Sequence, residues 1–137
     1  MSNVVGKSTD ELGYLHVLLA KEALKRSVLT VMADNELDAF VYATFDHQPS
    51  EIADDVLTNP QTKDAYALGN NRYLSPLIAF PAVTVPAGFT TDALPVGLEF
   101  LGRPFTEGLL LALAYAHEQG TDHRKPPATT PPLPGQP

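Results

Sequence analysis

The order of the predicted elements along the chain indicates a small α/β unit. Two segments with apolar residues at three- and four-residue spacing predict helices, one early in the chain and one late. Between them, short runs rich in aromatic, β-branched and aliphatic residues predict strands. The 137 residues are enough for one domain and hardly for two. The sequence therefore predicts one domain with the order helix, strand, loop, strand, strand, helix.

The first helix is predicted over residues 10–33. Apolar side chains recur at helical spacing from Leu12 to Met32, and Thr9 or Asp10 is placed to cap the start. Gly13 and a β-branched cluster near the end weaken the pattern. Two shorter helices are therefore the alternative.

Three segments predict strands. Leu37–Thr44 is almost continuously apolar, which favours burial on both faces in the middle of a sheet. Ala82–Phe89 contains Pro86, which cannot donate to a ladder, so this strand lies at an edge, ends there or carries a bulge. Leu94–Gly102 follows after a connection of hairpin length, residues 90–93.

The second helix is predicted over Glu107–Gln119. Thr106 is a suitable N-cap, and Phe105 and Leu110 have the spacing of a hydrophobic staple. Gly120 stands where a glycine commonly ends a helix.

Both ends of the chain are predicted to lie outside the packed unit. Residues 1–9 are interpreted as a flexible N-terminus and residues 10–124 as the α/β domain. Residues 125–137 contain six prolines in thirteen positions, which predicts an extended tail. Within it, Pro131–Pro134 has the pattern of a polyproline ligand for an SH3 or WW domain, so an adaptor role is an alternative hypothesis.

The charge balance argues against two classes of partner. With 9 Lys and Arg against 16 Asp and Glu, the net charge is −7, which disfavours nucleic acids and anionic membranes. No apolar run approaches the roughly 20 residues of a membrane span, and the first ten residues lack a signal-peptide pattern. We therefore expect a cytoplasmic protein with neither a nucleic-acid nor a membrane partner.

A search for catalytic motifs finds no complete active site. Cysteine is absent, and the four histidines lack the spacing of a zinc hydrolase. No serine lies in a Gly-x-Ser-x-Gly elbow. Asp46, His47 and Ser50 fall within one short loop, where a solvated turn is the better interpretation because triad members converge from separate segments. Motifs alone predict no catalytic residue, no metal and no cofactor.

An ordered series of short motifs fills residues 69–127. The series comprises Asn70-Asn71, Leu74-Ser75-Pro76, Phe80-Pro81-Ala82, Thr84-Val85-Pro86-Ala87-Gly88-Phe89, Leu94-Pro95-Val96-Gly97-Leu98-Glu99, Gly102-Arg103-Pro104-Phe105 and Ala114-Tyr115-Ala116-His117-Glu118-Gln119. It resembles the C-terminal portion of the amidase signature family, a family of serine amidohydrolases. Residues 23–44 are similar to the helix and strand that precede this block, so the resemblance covers roughly residues 20–130.

The resemblance implies an α/β fold with a partial mixed β-sheet of about three to four strands and flanking helices. It also implies hydrolysis of carboxamide C–N bonds by a Ser–cis-Ser–Lys mechanism. In the family those catalytic elements precede the matched region, and this sequence contains no Gly-Ser-Ser run. No catalytic residue is therefore carried over, and the isolated chain is predicted to be inactive.

The resemblance also suggests a binding role for two polar residues. Asn71 and Ser75 precede the strand that would end near the active-site cleft, where they are candidates for substrate binding; backbone capping in a loop is the alternative. The chain departs from the family at Tyr42-Ala43-Thr44, where Tyr-Pro-Thr is common.

Two function hypotheses follow. The first is the C-terminal part of an amidase, as a truncation, a fragment or half of a split enzyme. The second is a non-catalytic assembly domain. Elements that pack on other strands and helices in a complete amidase would expose apolar surface here, which predicts a homo-oligomer or a partner chain that supplies the missing N-terminal amidase part.

Overall fold

A three-stranded antiparallel sheet separates two helical layers in the computed structural model, which describes residues 9, 11–48, 54, 55, 58, 71–127, 129 and 130. The elements are α1 (Leu12–Asp34), β1 (Ala39–Ala43), α2 (Leu74–Ile78), β2 (Ala82–Phe89), β3 (Pro95–Gly102) and α3 (Glu107–Gly120). The predicted α/β class with flanking helices is confirmed. Both ladders among the described strands are antiparallel, so this part of the sheet is not itself mixed.

The two faces of the sheet carry separate apolar clusters. On one face α1 and α2 bury Val28, Met32, Ile78 and Phe80 against Leu101 of β3. On the other face α3 buries its own apolar stripe against β2 and β3, in a cluster formed by Val85, Phe100, Leu110 and Ala114. Alternation along β3 explains the division, because successive residues of a strand point to opposite faces.

The position of β1 corrects a prediction. The strand order is β1-β3-β2, so β1 is an edge strand among the described residues and not a central one. Val41 lies opposite Phe100 on the face that α3 covers, yet it is 53% exposed. α3 packs mainly over β2 and β3, so among the described residues Ala39 of β1 contacts this cluster while Val41 stays largely uncovered.

The β2–β3 hairpin agrees with the prediction from the sequence. Among the described strands β2 lies at an edge of the sheet, and its register shifts between Pro86 and Gly88, so both the edge position and the bulge are confirmed there. In the connection, Thr90 N donates to Leu94 O at 2.8 Å, and Leu94 N donates back to Thr90 Oγ1 at 3.1 Å. The short connection thus holds the two strands in register.

α1 is one continuous helix of 23 residues, so the alternative of two shorter helices is wrong. Its N-cap is Glu11, without a side-chain capping bond, so the helix begins after the predicted cap at Thr9 or Asp10. Only Val28 and Met32 of this helix are buried, and residues 11–20 are all exposed. The helix packs through its C-terminal half, and its N-terminal half projects from the sheet.

The start of α3 differs from the prediction in its details. Thr106 is at the N-cap position, but its hydroxyl donates to Arg103 O at 2.7 Å and caps no helical N–H. Phe105 has a left-handed φ of 65° and is 94% exposed, so the predicted staple with Leu110 is not formed. Gly120 is the last helical residue and Thr121 the C-cap. The β3–α3 turn directs Phe105 away from the core.

A short helical segment was not predicted. Asn71–Tyr73 forms a 3-10 turn that continues into α2, within the loop predicted between the first two strands. Ile78 is fully buried, and Ala79 ends the helix with a left-handed φ of 57°. Five residues are too few for a periodic pattern to emerge.

Several predictions fall mainly outside the described residues. Residues 1–8, most of 49–70 and residues 131–137 are among those not described, so the N-terminus and most of the proline-rich tail stay predictions. Across the described ranges, no helix is both long and apolar enough to cross a membrane.

Candidate functional site

A buried carboxylate lies at the centre of the sheet. Glu99 on β3 is only 7% exposed and stands between Tyr42 on β1 and Thr84 on β2 in the ladder. The Tyr42 hydroxyl donates to Glu99 Oε1 at 2.6 Å, and Thr84 Oγ1 lies 3.5 Å from Oε2. A buried carboxylate needs such donors, because desolvation of an unpaired charge is costly.

The same environment changes the acidity of Tyr42. Burial, and then the hydrogen bond and the negative charge of Glu99, raise the pKa of the Tyr42 phenol well above its usual range. The phenol therefore stays protonated at neutral pH and serves as a donor to the carboxylate.

Thr44 extends this row toward solvent. Its Oγ1 lies 3.4 Å from Thr84 Oγ1, so hydroxyl groups connect the buried carboxylate to the protein surface. Gly97 lies between the two threonines, where a Cβ would approach Thr44 Oγ1 and Thr84 Cγ2 to 2.8 Å. Glycine at position 97 thus leaves room for both threonine side chains.

The hydroxyls open onto a groove at the end of the sheet, here named the hydroxyl groove. It has a volume of about 480 Å³ and includes Thr44, Thr84 and Gly97 in its lining. Its remaining walls are largely apolar, with Phe45, Pro86, Phe89, Pro95 and Val96. His123, Arg124 and Lys125 line it as well, so basic groups flank an otherwise apolar space.

A second cavity of about 350 Å³ adjoins the groove and shares Phe45 and Gly97 with it. Asp46 and His47 line this cavity, with His47 Nδ1 and Asp46 Oδ1 2.6 Å apart. Ser50, the third polar residue of the loop noted in the sequence, lies outside the described residues. The structure therefore pairs the acid and the histidine.

The two predicted binding residues lie on the segment before β2. Asn71 Nδ2 donates to Ala43 O at 3.0 Å, which attaches the 3-10 turn to the end of β1. Ser75 Oγ donates to Phe80 O at 2.8 Å, within the connection from α2 to β2. Neither is among the residues that line the hydroxyl groove. Their binding role stays a prediction.

The histidines near the end of α3 are close to each other. The rings of His117 and His123 have centroids 6.0 Å apart, and His117 Nε2 lies 3.2 Å from Pro86 O. Within the ranges that the structure describes, no group of three or more His, Asp or Glu side chains could hold a metal ion.

Sequence reasoning missed Thr44, Thr84 and Glu99 as a group. Their signal lies in the alternation of each strand, where a polar residue interrupts an apolar face. Only the register brings these residues into one row, and register is not visible in the pattern of a single strand.

Comparison with known proteins relates this chain to one family. The family model named Amidase matches residues 1–111. A fatty acid amide hydrolase from Arabidopsis thaliana is 31% identical over 114 residues, which is 80% of this chain and 19% of that protein. A glutamyl-tRNA(Gln) amidotransferase subunit from Desulforudis audaxviator is 52% identical over 55 residues, 39% of this chain and 11% of the relative.

Solved structures lead to the same family. A peptide amidase from Stenotrophomonas maltophilia superimposes with a TM-score of 0.62 at 27% identity, over 90% of this chain and 23% of that protein. An amidase family protein from Bacillus anthracis gives 0.59 at 27% identity, over 88% and 19%. The chain thus spans less than a quarter of the length of each of these relatives. With the family model matching most of its residues, the chain belongs to the amidase family.

Proposed function

We propose that this chain is the C-terminal part of an amidase that hydrolyses carboxamide C–N bonds. The observation that carries the proposal is the family match over residues 1–111, together with the 31% identity to a fatty acid amide hydrolase over 80% of the chain. Residues 10–124 supply part of the α/β scaffold, and residues 125–137 follow as a tail. The chain contributes no nucleophile or base, since no Gly-Ser-Ser run is present.

In this role the chain provides one wall of the substrate site. The hydroxyl groove is the feature that suits an acyl group, because its walls are mostly apolar and include a small number of polar groups. Asn71 and Ser75 remain candidates for substrate contact: each donates one bond to a backbone carbonyl and retains oxygen lone pairs for a ligand.

A chimera tests this proposal. The segment of the Stenotrophomonas maltophilia peptide amidase that superimposes on this chain is replaced by this chain, and ammonia release from a primary carboxamide is measured. We expect the chimera to hydrolyse the amide and the isolated chain to show no turnover. Turnover by the isolated chain that disappears when one of its five serines is changed to alanine would contradict the proposal.

The second candidate function is assembly without catalysis. The observation in its favour is the N-terminal half of α1, where Leu12, Leu15, Val17 and Leu19 are each 44% exposed or more. The occupant is either a chain that supplies the N-terminal amidase part or a second copy of this chain. The amidotransferase relative is itself a subunit, which is consistent with a partner.

Light scattering distinguishes the two occupants. A stable dimer of the isolated chain favours a second copy, and a monomer that associates with the separately produced N-terminal part of an amidase favours the other. Leu15→Glu is expected to abolish either association. Ala20→Glu, which adds the same charge at another exposed position of α1, is the matched control. Equal loss in both variants would show that charge, and not the apolar surface, is responsible.

A further inference from the structure

α3 has a second apolar stripe on the side that faces away from the sheet. Its inner side is buried against β2 and β3 through Leu110 and Ala114. The opposite side carries four exposed residues, here named the outer stripe: Gly108, Leu111, Ala112 and Tyr115. Their spacing of three and four residues places them on one face of the helix. A helix that is apolar on both sides is typical of one that also packs against a second helix.

The outer stripe alternates small and large side chains. A Cβ built at Gly108 would meet no described atom within 4 Å, and Ala112 adds only a methyl group. Leu111 and Tyr115 project from the helix and are 64% and 66% exposed. The stripe therefore has hollows beside projections, which is the form that ridges-into-grooves packing of two helices requires.

The pattern is complementary to itself when two helices run in opposite directions. A two-fold axis between positions 111 and 112 places position 108 of one copy opposite position 115 of the other, and position 111 opposite position 112. Tyr115 then lies over Gly108 and Leu111 lies against Ala112, so each large side chain meets a small one. A parallel pair would place Tyr115 on Tyr115 and leave the two glycines facing each other.

Charge also favours contact between copies at this surface. The chain has a net charge of −7, so two copies repel each other over most approaches. The stretch from Gly108 to Ala116 contains no charged residue, and Glu107 and Glu118 flank it. The outer stripe thus allows two acidic chains to meet without a carboxylate in the centre of the contact.

From this pattern we infer that the outer stripe of α3 binds the same stripe of a second copy of the chain, as an antiparallel helix pair. This surface is separate from the N-terminal half of α1, and the inference does not depend on amide hydrolysis. α3 has 14 residues and is about 21 Å long and 10 Å wide. Such a pair buries less than the roughly 1,200 Å² of a stable complex, so the expected dimer is weak, with a Kd in the micromolar range or above.

Sedimentation equilibrium of the 137-residue chain, from about 10 µM to about 1 mM, tests the inference. We expect a monomer–dimer equilibrium that strengthens with added sodium chloride, because salt screens the net charge. Leu111→Glu places a carboxylate from each copy in the contact and should raise the Kd more than about tenfold. Ala20→Glu, which adds the same charge at an exposed position of α1, is the matched control and should change the Kd by no more than about twofold.

Gly108→Leu tests the shape of the contact without a change of charge. The variant adds apolar surface, so unspecific adhesion would increase. In the antiparallel pair the new side chain collides with the Tyr115 ring of the other copy, and the dimer should weaken about tenfold. Tyr115→Ala in the same chain makes room for the leucine and should restore part of the affinity.

Cysteine cross-linking tests the direction of the two helices. The chain has no cysteine, so a single introduced thiol reports one position. Ala112→Cys lies beside the axis and should form a disulfide between copies under mild oxidation. Gly108→Cys should not, because the two positions lie about 10 Å apart along the helices, beyond the reach of a disulfide.

Several results would overturn the inference. They are a chain that stays monomeric at the highest concentration, an unchanged Kd in Leu111→Glu, tighter association in Gly108→Leu, or cross-linking by Gly108→Cys and not by Ala112→Cys. A dimer lost in Leu15→Glu but kept in Leu111→Glu would assign self-association to α1. Binding of a separately produced N-terminal amidase part at the outer stripe, without a dimer, would identify the other occupant. Each of these outcomes is independent of amide hydrolysis by the chimera, so the proposed function is tested separately.

Discussion

Replacement of Tyr42 by phenylalanine removes one donor from Glu99 and leaves the carboxylate in place. Glu99 is 7% exposed, and after the change its remaining side-chain hydrogen-bond partner within the described residues is Thr84 at 3.5 Å, compared with 2.6 Å for the lost bond. A hydrogen bond to a charged group contributes roughly 1.5–3 kcal/mol. We expect Tyr42→Phe to lower the free energy of unfolding by about that amount.

A double-mutant cycle isolates the pair. Glu99→Gln preserves the volume and an acceptor oxygen but removes the charge. If the charged bond carries the stabilisation, the cost of Tyr42→Phe should be smaller in the Glu99→Gln background, with a coupling of about 1 kcal/mol or more. Thr84 shares the network, so Thr84→Val in each background reveals whether it takes over part of the interaction.

Urea unfolding at pH 7, followed by far-ultraviolet circular dichroism, measures these free energies. Tyr115→Phe is the matched control, because Tyr115 is 66% exposed and forms none of these bonds. Its effect should stay within about 0.5 kcal/mol. A Tyr42→Phe cost no larger than that of the control, or strict additivity with Glu99→Gln, would refute the reasoning.

Three further predictions concern pH, overpacking and backbone strain. Because the pKa of Tyr42 is raised on folding, the contribution of its phenol to the free energy of unfolding is complete below about pH 10 and is lost as the pH rises further. The wild type should therefore lose stability in alkali more steeply than Tyr42→Phe. Parallel pH profiles of the two proteins would contradict this. Gly97→Ala brings a Cβ to 2.8 Å from two threonines and should lower the free energy of urea unfolding by about 1–3 kcal/mol. Gly108→Ala, with open space on α3, should raise it by about 0.5–1 kcal/mol. A Gly108→Ala protein less stable than Gly97→Ala would be inconsistent with the packing. Phe105 has a left-handed φ of 65° and its side chain is 94% exposed, so Phe105→Gly removes backbone strain at little loss of packing. The variant should have a higher thermal midpoint, with a free energy of unfolding raised by up to about 1 kcal/mol. A lower midpoint would show that the strain is not relieved.

Periodicity predicted most of the regular structure of this chain. Ala82–Phe89 has the predicted bounds, and the long helices differ from prediction by one or two residues, because apolar spacing reports the buried face directly. Among the described residues β1 is an edge strand, whereas its apolar run predicted a central one. An apolar run shows that a strand avoids water, but it does not show how many neighbours cover it.

The row of polar residues shows more clearly what a sequence pattern cannot predict. Each of Tyr42, Thr84 and Glu99 has an ordinary explanation in its own strand, and the row exists only because the register places them side by side. The same applies to Arg103, whose guanidinium donates to Met32 O and Leu37 O and so joins the end of α1 to the start of β1. Contacts over such separations carry no local signature in the sequence.

The strand order also determines the order in which the strands can pair during folding. Thr84 and Glu99 are 15 residues apart and meet within a hairpin, whereas Tyr42 and Glu99 are 57 residues apart. A fourfold longer loop costs about 1.2 kcal/mol more to close, so β2 and β3 can pair first and β1 docks onto an existing edge. The Tyr42–Glu99 bond would then form among the last contacts and break among the first. Amide protons of β1 should accordingly exchange with solvent sooner than those of β3, which is held from both sides.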